Sequence, residues 1–321
     1  NGVRKRISKS IKSDCRMKLY SLKEKHLTSI SPQNFKLEKE IQDIVEENIQ
    51  LLFNLELVKS ELRVKNFRID SLGFDRENKS FVIVEYKKDK NFSVIDQGYT
   101  YLSLMLNNKS DFILEYNESC DDNLRRGDID WSQSRVIFIS PQFTEYQRNS
   151  VNFKDVPFEL WEIKRYQNGL VGFDQHKITS DESISTTEKG DSESIVGSVT
   201  KEVKVSTEET HLNQSKVQEP IKEVYKEFKK RILDLGDDID IVPRKIYIGY
   251  KRKTNFIDIS FGKSNLWCWI NMKKGELDDP KNYCRDVSNI GHYGNGEYDL
   301  SIHESTDLDY IMFLVKQSYK K

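Results

Sequence analysis

The run Phe81-Val82-Ile83-Val84, followed by Glu85-Tyr86-Lys87, constrains this chain more than any other segment. Four consecutive apolar residues leave no polar face, so the strand they form must be covered on both sides, as inside an open α/β sheet. Side chains alternate along a strand, which puts Glu85 and Lys87 on one face where the buried strand emerges. Residues 66–74 read as the antiparallel partner, joined through the turn Asp75-Arg76-Glu77-Asn78-Lys79, and they carry Asp70. Two carboxylates and an ammonium aimed at one spot make a site for a divalent cation and a phosphate. Phosphodiester hydrolysis needs a water made nucleophilic near neutral pH and a phosphorus relieved of negative charge, and Mg²⁺ on two carboxylates supplies both. The expected roles are Asp70 and Glu85 as metal ligands and Lys87 beside the water. A Glu-x-Lys pair on a strand is more commonly a solvated salt bridge, but here the apolar run and the acid on the adjacent strand argue for chemistry.

A length of 321 residues suggests two domains. With 32% charged residues, a net charge of −1 and a mean hydropathy of −0.69, the chain has no global basic signal, so any nucleic-acid contact must be a local patch. No apolar run could span a bilayer and no segment resembles a signal peptide, so a cytoplasmic protein without membrane contact is expected. Cys15, Cys120, Cys268 and Cys284 form no Cys-x-x-Cys pair, which argues against a disulfide framework or a structural zinc. The five histidines show no ligand spacing, which leaves a hard cation on carboxylates.

Residues 1–16 are read as a basic N-terminal extension ahead of Met17, or alternatively as an arm touching phosphate. Residues 17–31 suggest a small hairpin, and Leu37, Ile41, Ile44, Val45, Ile49, Leu52 and Phe53 predict one amphipathic helix over 35–53. Strands follow at 55–64, 66–74 and 80–87, then a helix at 94–106, a strand or helix end at 111–115, a strand at 135–140, a helix at 143–151 and a strand at 158–165. From about 175 the chain turns to Ser, Thr, Glu and Lys, too polar to offset the entropy of ordering, and 175–218 is expected to be a flexible linker. Beyond it a helix at 221–235, strands at 245–250, 255–261, 265–271 and 298–302, and a helix at 307–319 predict a second, smaller α+β domain. The expected domains are therefore 17–174 and 219–321.

The pattern Asp70-(x)14-Glu85-x-Lys87 on consecutive strands after an acidic helix resembles the PD-(D/E)XK nuclease superfamily, and most closely its NucS-like endonuclease branch. The resemblance implies a restriction-endonuclease-like mixed sheet flanked by helices and a Mg²⁺-dependent DNA endonuclease, Mn²⁺ substituting, that works in bacterial restriction, defence or DNA processing. It also implies a Gln and a Tyr one helical turn apart on the helix after the E-x-K strand, where Gln97 and Tyr101 stand, and an acid opening the first helix, for which Glu38 is the best match and Glu40 the alternative. Glu61 is a further acid near the Asp70 strand. The superfamily's Pro-Asp is Ile69-Asp70 here.

Arg63, Lys65, Arg68, Lys88 and Lys90 flank the expected cleft, with Arg125, Arg126 and Arg148 further on; Arg63, Arg68, Lys88 and Lys90 are the expected DNA contacts. Residues 219–321 resemble an uncharacterised family often found behind predicted nucleases and sometimes labelled a predicted transport protein; its matching elements include Trp267-Cys-Trp-Ile-Asn271 and the 285–296 segment. Arg285 and His292 in that Gly-rich segment could form an anion- or partner-binding loop, although a plain tight turn is the simpler reading. The partners expected are DNA, a second protein through the C-terminal domain, and a second copy of the chain. The competing class is a catalytically silent module that keeps the nuclease fold to grip DNA or protein.

Overall fold

The computed structural model describes residues 18–88, 92–184, 194–291 and 294–321. The N-terminal extension, Lys90 and His292 lie outside them. The leading hairpin pairs β1 (Leu19–Lys23) with β2 (His26–Ile30), and β3 (Pro32–Gln33) follows. The single helix expected over 35–53 is two, α1 (Glu38–Glu47) and α2 (Ile49–Phe53). The break falls at Asn48, whose Nδ2 donates to the Ile44 carbonyl at 2.8 Å, the local competition that disfavours Asn inside helices. Ile41, Val45, Ile49 and Phe53 still form one stripe and pack on the sheet face of Val82, Val84 and Tyr86.

Three antiparallel strands, β4 (Glu56–Val64), β5 (Phe67–Asp75) and β6 (Ser80–Tyr86), come next, with Ser71 opposite Val84. Every residue of β6 is buried, as its apolar run demands. Helices α3 (Val94–Asn107) and α4 (Lys109–Cys120) cover the face opposite α1, packing Tyr99, Leu102, Met105 and Phe112 with Leu72, Phe81 and Ile83. The ambiguous segment 111–115 lies inside α4. Then come β7 (Arg135–Ser140), α5 (Glu145–Ser150), β8 (Phe158–Tyr166) and β9 (Val171–Gln175). The sheet runs β3-β8-β7-β6-β5-β4 with β9 also on β8; β7 is parallel to β6 and β8, and the other pairs are antiparallel. A mixed sheet between two helical layers is the restriction-endonuclease-like arrangement expected.

Within the stretch read as a flexible linker, the described residues include helices α6 (Ile195–Glu202) and α7 (Glu208–Leu212), each opened by a hydroxyl cap, Ser194 and Thr207. Ile184, Val199 and Val203 enter the core beneath α3. A few apolar side chains suffice because they complete a core that already exists instead of building their own.

The C-terminal part comprises α8 (Glu219–Leu233), β10 (Asp240–Pro243), β11 (Ile248–Lys251), β12 (Asn255–Phe261), β13 (Leu266–Ile270), β14 (Arg285–Asp286), β15 (Tyr298–Ile302) and α9 (Leu308–Lys320). Its six strands form an antiparallel sheet ordered β10-β11-β12-β13-β15-β14. The edge strands β10 and β14 are too short to announce themselves in sequence. Helices α8 and α9 cover one face, burying Tyr225, Phe228, Ile311 and Leu314 against Ile257, Ile259, Cys268 and Leu300. No helix among the described residues is long and apolar enough to cross a membrane.

The two sheets meet at the β5–β6 turn. Asp75 pairs with Arg135 at 3.0 Å and faces Arg244 at 3.9 Å, while Glu77 sits 3.7 Å from Arg244 and accepts from Asn295 at 2.9 Å and from the Tyr247 hydroxyl. Behind Glu77 lies Asp258, fully buried on β12; burial first, then the Glu77 charge, push its carboxyl up to about 7 against hydrogen bonds donated by Asn295 and Asn255.

Candidate active site

Asp70 and Glu85 come together because β5 and β6 pair with Ser71 opposite Val84, which sets the next residues out side by side on the α3 face. Asp70 Oδ2 accepts from the Tyr86 amide at 3.1 Å. Glu85 Oε1 accepts from Lys87 Nζ at 2.6 Å and from the Tyr101 hydroxyl at 3.1 Å, while its Oε2 is buried without a partner among the described residues. The Lys87 backbone N–H donates to the Ile139 carbonyl at 2.9 Å, which keeps the residue against β7, and its ammonium lies 5.9 Å from the Phe92 ring.

Glu85 is 2% exposed, and burial followed by the Asp70 charge pushes its carboxyl up to about 7 despite Lys87 and Tyr101. Burial likewise raises Asp70, opposed by the Tyr86 amide and Lys87. Burial and the Glu85 carboxylate hold the Tyr101 phenol well above its ordinary range, so it serves as a hydrogen-bond donor and not as a base. Two acids crowded this way, one with an orphaned oxygen, form a locus of negative potential that a cation would relieve. The donor set is hard oxygen, which suits Mg²⁺: that ion takes one or two carboxylates and completes its shell with water and phosphate oxygens. Among the described residues no three His, Cys, Asp or Glu side chains converge, so a site here rests on this carboxylate pair.

Gln97 lies one turn before Tyr101 on α3, and its Oε1 is buried without a partner among the described residues. Glu38, in the first turn of α1, accepts from the Lys88 amide at 2.8 Å and so fastens the chain just past Lys87. Its alternative, Glu40, pairs with Arg165 at 3.0 Å. Glu61 sits in a left-handed kink with φ of 55° and pairs with Arg68 at 3.1 Å. Arg63 and Arg68 are exposed directly across from one another on β4 and β5, a placement that concentrates positive charge beside the pair. Arg148 instead donates to the Phe143 carbonyl at 2.7 Å, an internal brace.

Sequence reading did not assign Gln42 a part in the site. It is 4% exposed on α1 and donates to the Asp70 carbonyl at 3.1 Å, to Ser60 at 3.1 Å and to Glu46 at 2.8 Å, while Ser71 bridges Glu46 and the Tyr86 hydroxyl. This network holds the backbone of Asp70 from the far face. The available signal was an amide placed beside Ile41 on the buried stripe of an amphipathic helix. Gly98 has a positioning part as well: a Cβ there would lie 2.4 Å from the Phe158 ring. Gly98→Ala is expected to cost about 1–3 kcal/mol in urea denaturation by levering α3 off the sheet; an unchanged midpoint would refute that packing.

An uncharacterized protein of Haemophilus influenzae is 46% identical over 305 residues, covering 95% of this chain and 100% of the relative. The chain belongs to that protein's family. In this member of the family, residues 208–321 match a domain of unknown function, DUF5655. Among solved structures, a repair endonuclease from Pyrococcus abyssi overlaps with a TM-score of 0.22 at 15% identity, and a complex of EndoMS with double-stranded DNA with a TM-score of 0.21 at 14% identity. Each overlap covers 42% of this chain and 60% of the solved chain, too little to establish either fold or activity.

Proposed function

We propose that this protein is a metal-dependent DNA endonuclease whose C-terminal module serves recognition or regulation, acting in bacterial restriction, defence or DNA processing. The observation that carries the reading is the pairing of Asp70 and Glu85 around an orphaned carboxylate oxygen, with Lys87 2.6 Å from Glu85. Asp70 and Glu85 would hold Mg²⁺, which supplies charge neutralisation at the phosphate and a more acidic bound water. Lys87 would orient the attacking water or stabilise charge growing on the phosphate oxygens, Tyr101 would fix the Glu85 carboxylate through its hydroxyl, and Gln97, one turn before Tyr101 on α3, would add an amide to the same wall. Arg63, Arg68 and Lys88 would neutralise backbone phosphates beside the scissile bond.

The test is plasmid cleavage in Mg²⁺ or Mn²⁺ by the full chain and by Lys87→Ala. The expected outcome is nicking or linearisation by the parent, a drop of about 100-fold or more in the variant, and Mg²⁺ uptake retained in calorimetry. A parent that binds DNA and never cuts it in either metal would instead make the protein a binding module.

A further inference from the structure

The face of the C-terminal sheet away from α8 and α9 carries chemistry that a structural role does not require. Cross-strand register lines up Ser260, Trp267 and Ser301 in one row and Asp258, Trp269, Asp299 and Arg285 in the next. Residues directly opposite one another share a face, so two indoles, two buried acids and a guanidinium lie on a surface left free of helices. A cleft of about 540 Å³ opens over Trp267 and Trp269, walled by Lys216, Ile246, Ile290 and Arg285. That is within the usual range for a small-molecule site.

Three features describe an occupant. Trp267 is 41% exposed, an unusual amount for the largest apolar side chain, and offers a flat ring on the cleft floor. Trp269 is 6% exposed, yet its buried indole N–H has no acceptor among the described residues, a deficit that native proteins rarely leave unmet without a ligand or water. Lys216 and Arg285 bring positive charge to the rim, while the Asp299 carboxylate is already engaged by Arg285 through two contacts of 3.0 and 2.5 Å. A stacking platform, a lone donor and a cationic rim call for a ligand with an aromatic ring that bears acceptors and an attached anion. Gly294 packs directly against one side of Trp269, where a Cβ would lie 2.5 Å from that side chain.

We propose that this cleft binds a nucleotide unit, its base stacked on Trp267 and its phosphate at Lys216 and Arg285. The unit comes either from a free mononucleotide or from an unpaired position of a nucleic-acid strand. The inference is independent of the nuclease reading, because none of its residues belongs to the Asp70 and Glu85 site.

Binding is read by tryptophan fluorescence of the full chain in EDTA, so that strand cleavage plays no part. The probes are adenosine monophosphate, adenosine, inorganic phosphate, a five-nucleotide oligodeoxyadenylate, the blunt duplex of the same sequence, and an oligoglutamate peptide. Saturable quenching by the mononucleotide or the oligonucleotide is expected, with adenosine and phosphate each at least about tenfold weaker. Quenching by the mononucleotide identifies a free nucleotide as the source, and quenching by the oligonucleotide alone identifies a strand. Trp267→Ala, at an exposed position, should keep its melting temperature and weaken binding about tenfold or more, the scale of one lost base stack. Arg285→Lys, which keeps a charge beside Asp299, should weaken the mononucleotide but not adenosine. The proposal is overturned if neither nucleotide probe saturates below millimolar concentration, if the duplex or the peptide binds as tightly as the nucleotides, or if Trp267→Ala binds like the parent.

Discussion

Glu85→Gln is expected to lower Mg²⁺-dependent DNA cleavage by about 100- to 1,000-fold while leaving the melting temperature of the metal-free protein unchanged or higher. The substitution keeps an amide oxygen where Oε1 accepts from Lys87 and Tyr101, so the local hydrogen bonds survive. It removes a charge that burial and Asp70 already disfavour, as the rise of this carboxyl to about 7 records. Structure and chemistry therefore move in opposite directions, which separates a ligand from a residue that merely packs. Calorimetry should show Mg²⁺ uptake lost along with cleavage. Parent-like cutting by the variant would end the metal-site reading, and a lower melting temperature would mean that the charge stabilises the fold.

The largest expected effect on stability lies elsewhere, at Arg135. Its guanidinium is the main counter-charge for Asp75, 2% exposed, at 3.0 Å, and also binds Glu159 at 2.7 Å. Burial alone would favour the neutral acid at Asp75, but Arg135, then Arg244 and the hydrogen bonds from Asn78, overcome it and hold the carboxyl below its ordinary range. Arg135→Met keeps the aliphatic stem and strands the acid, and should cost about 3–5 kcal/mol. The sign with pH follows: a carboxyl with a depressed folded pKa contributes stability above its unfolded value near 4 and loses it as pH falls through that range. The gap between parent and variant in thermal melts should thus be widest near pH 7 and narrow below about pH 4, and adding Asp75→Asn should restore part of the loss. A variant that melts with the parent at neutral pH would show the pair to be dispensable.

Long periodic elements were legible in the sequence, and so was the geometry of the acidic pair. The run 81–84 fixed a strand buried on both faces, and alternation placed Glu85 and Lys87 together. The family resemblance put Gln97 and Tyr101 on the helix after the E-x-K strand, and of the two the Tyr101 hydroxyl reaches Glu85. Tertiary context decided what could not be read. Asn48 breaks a helix through one side-chain bond to Ile44, a local competition that hydrophobic periodicity does not register. Helix α6 forms in a polar stretch because Val199 and Val203 find a core supplied by distant residues. Gln42 reaches Asp70 across 28 residues of chain, a separation at which no spacing rule operates. Arg148 lies further along the sequence and was read as a possible flanking charge, yet its guanidinium turns inward to brace the start of α5.

The hairpin that carries both acids is clamped at its two extremities. At one, Gln42 and Glu38 tie down the main chain at Asp70 and Lys88; at the other, Arg244, Tyr247 and Asn295 from loops of the C-terminal module grip Glu77 at the bend. A slip of β5 along β6 by one residue would send Asp70 to the opposite side of the sheet from Glu85. Such a slip would have to unfasten both anchors at once, so the C-terminal module acts as a lock on the alignment of two side chains it never touches.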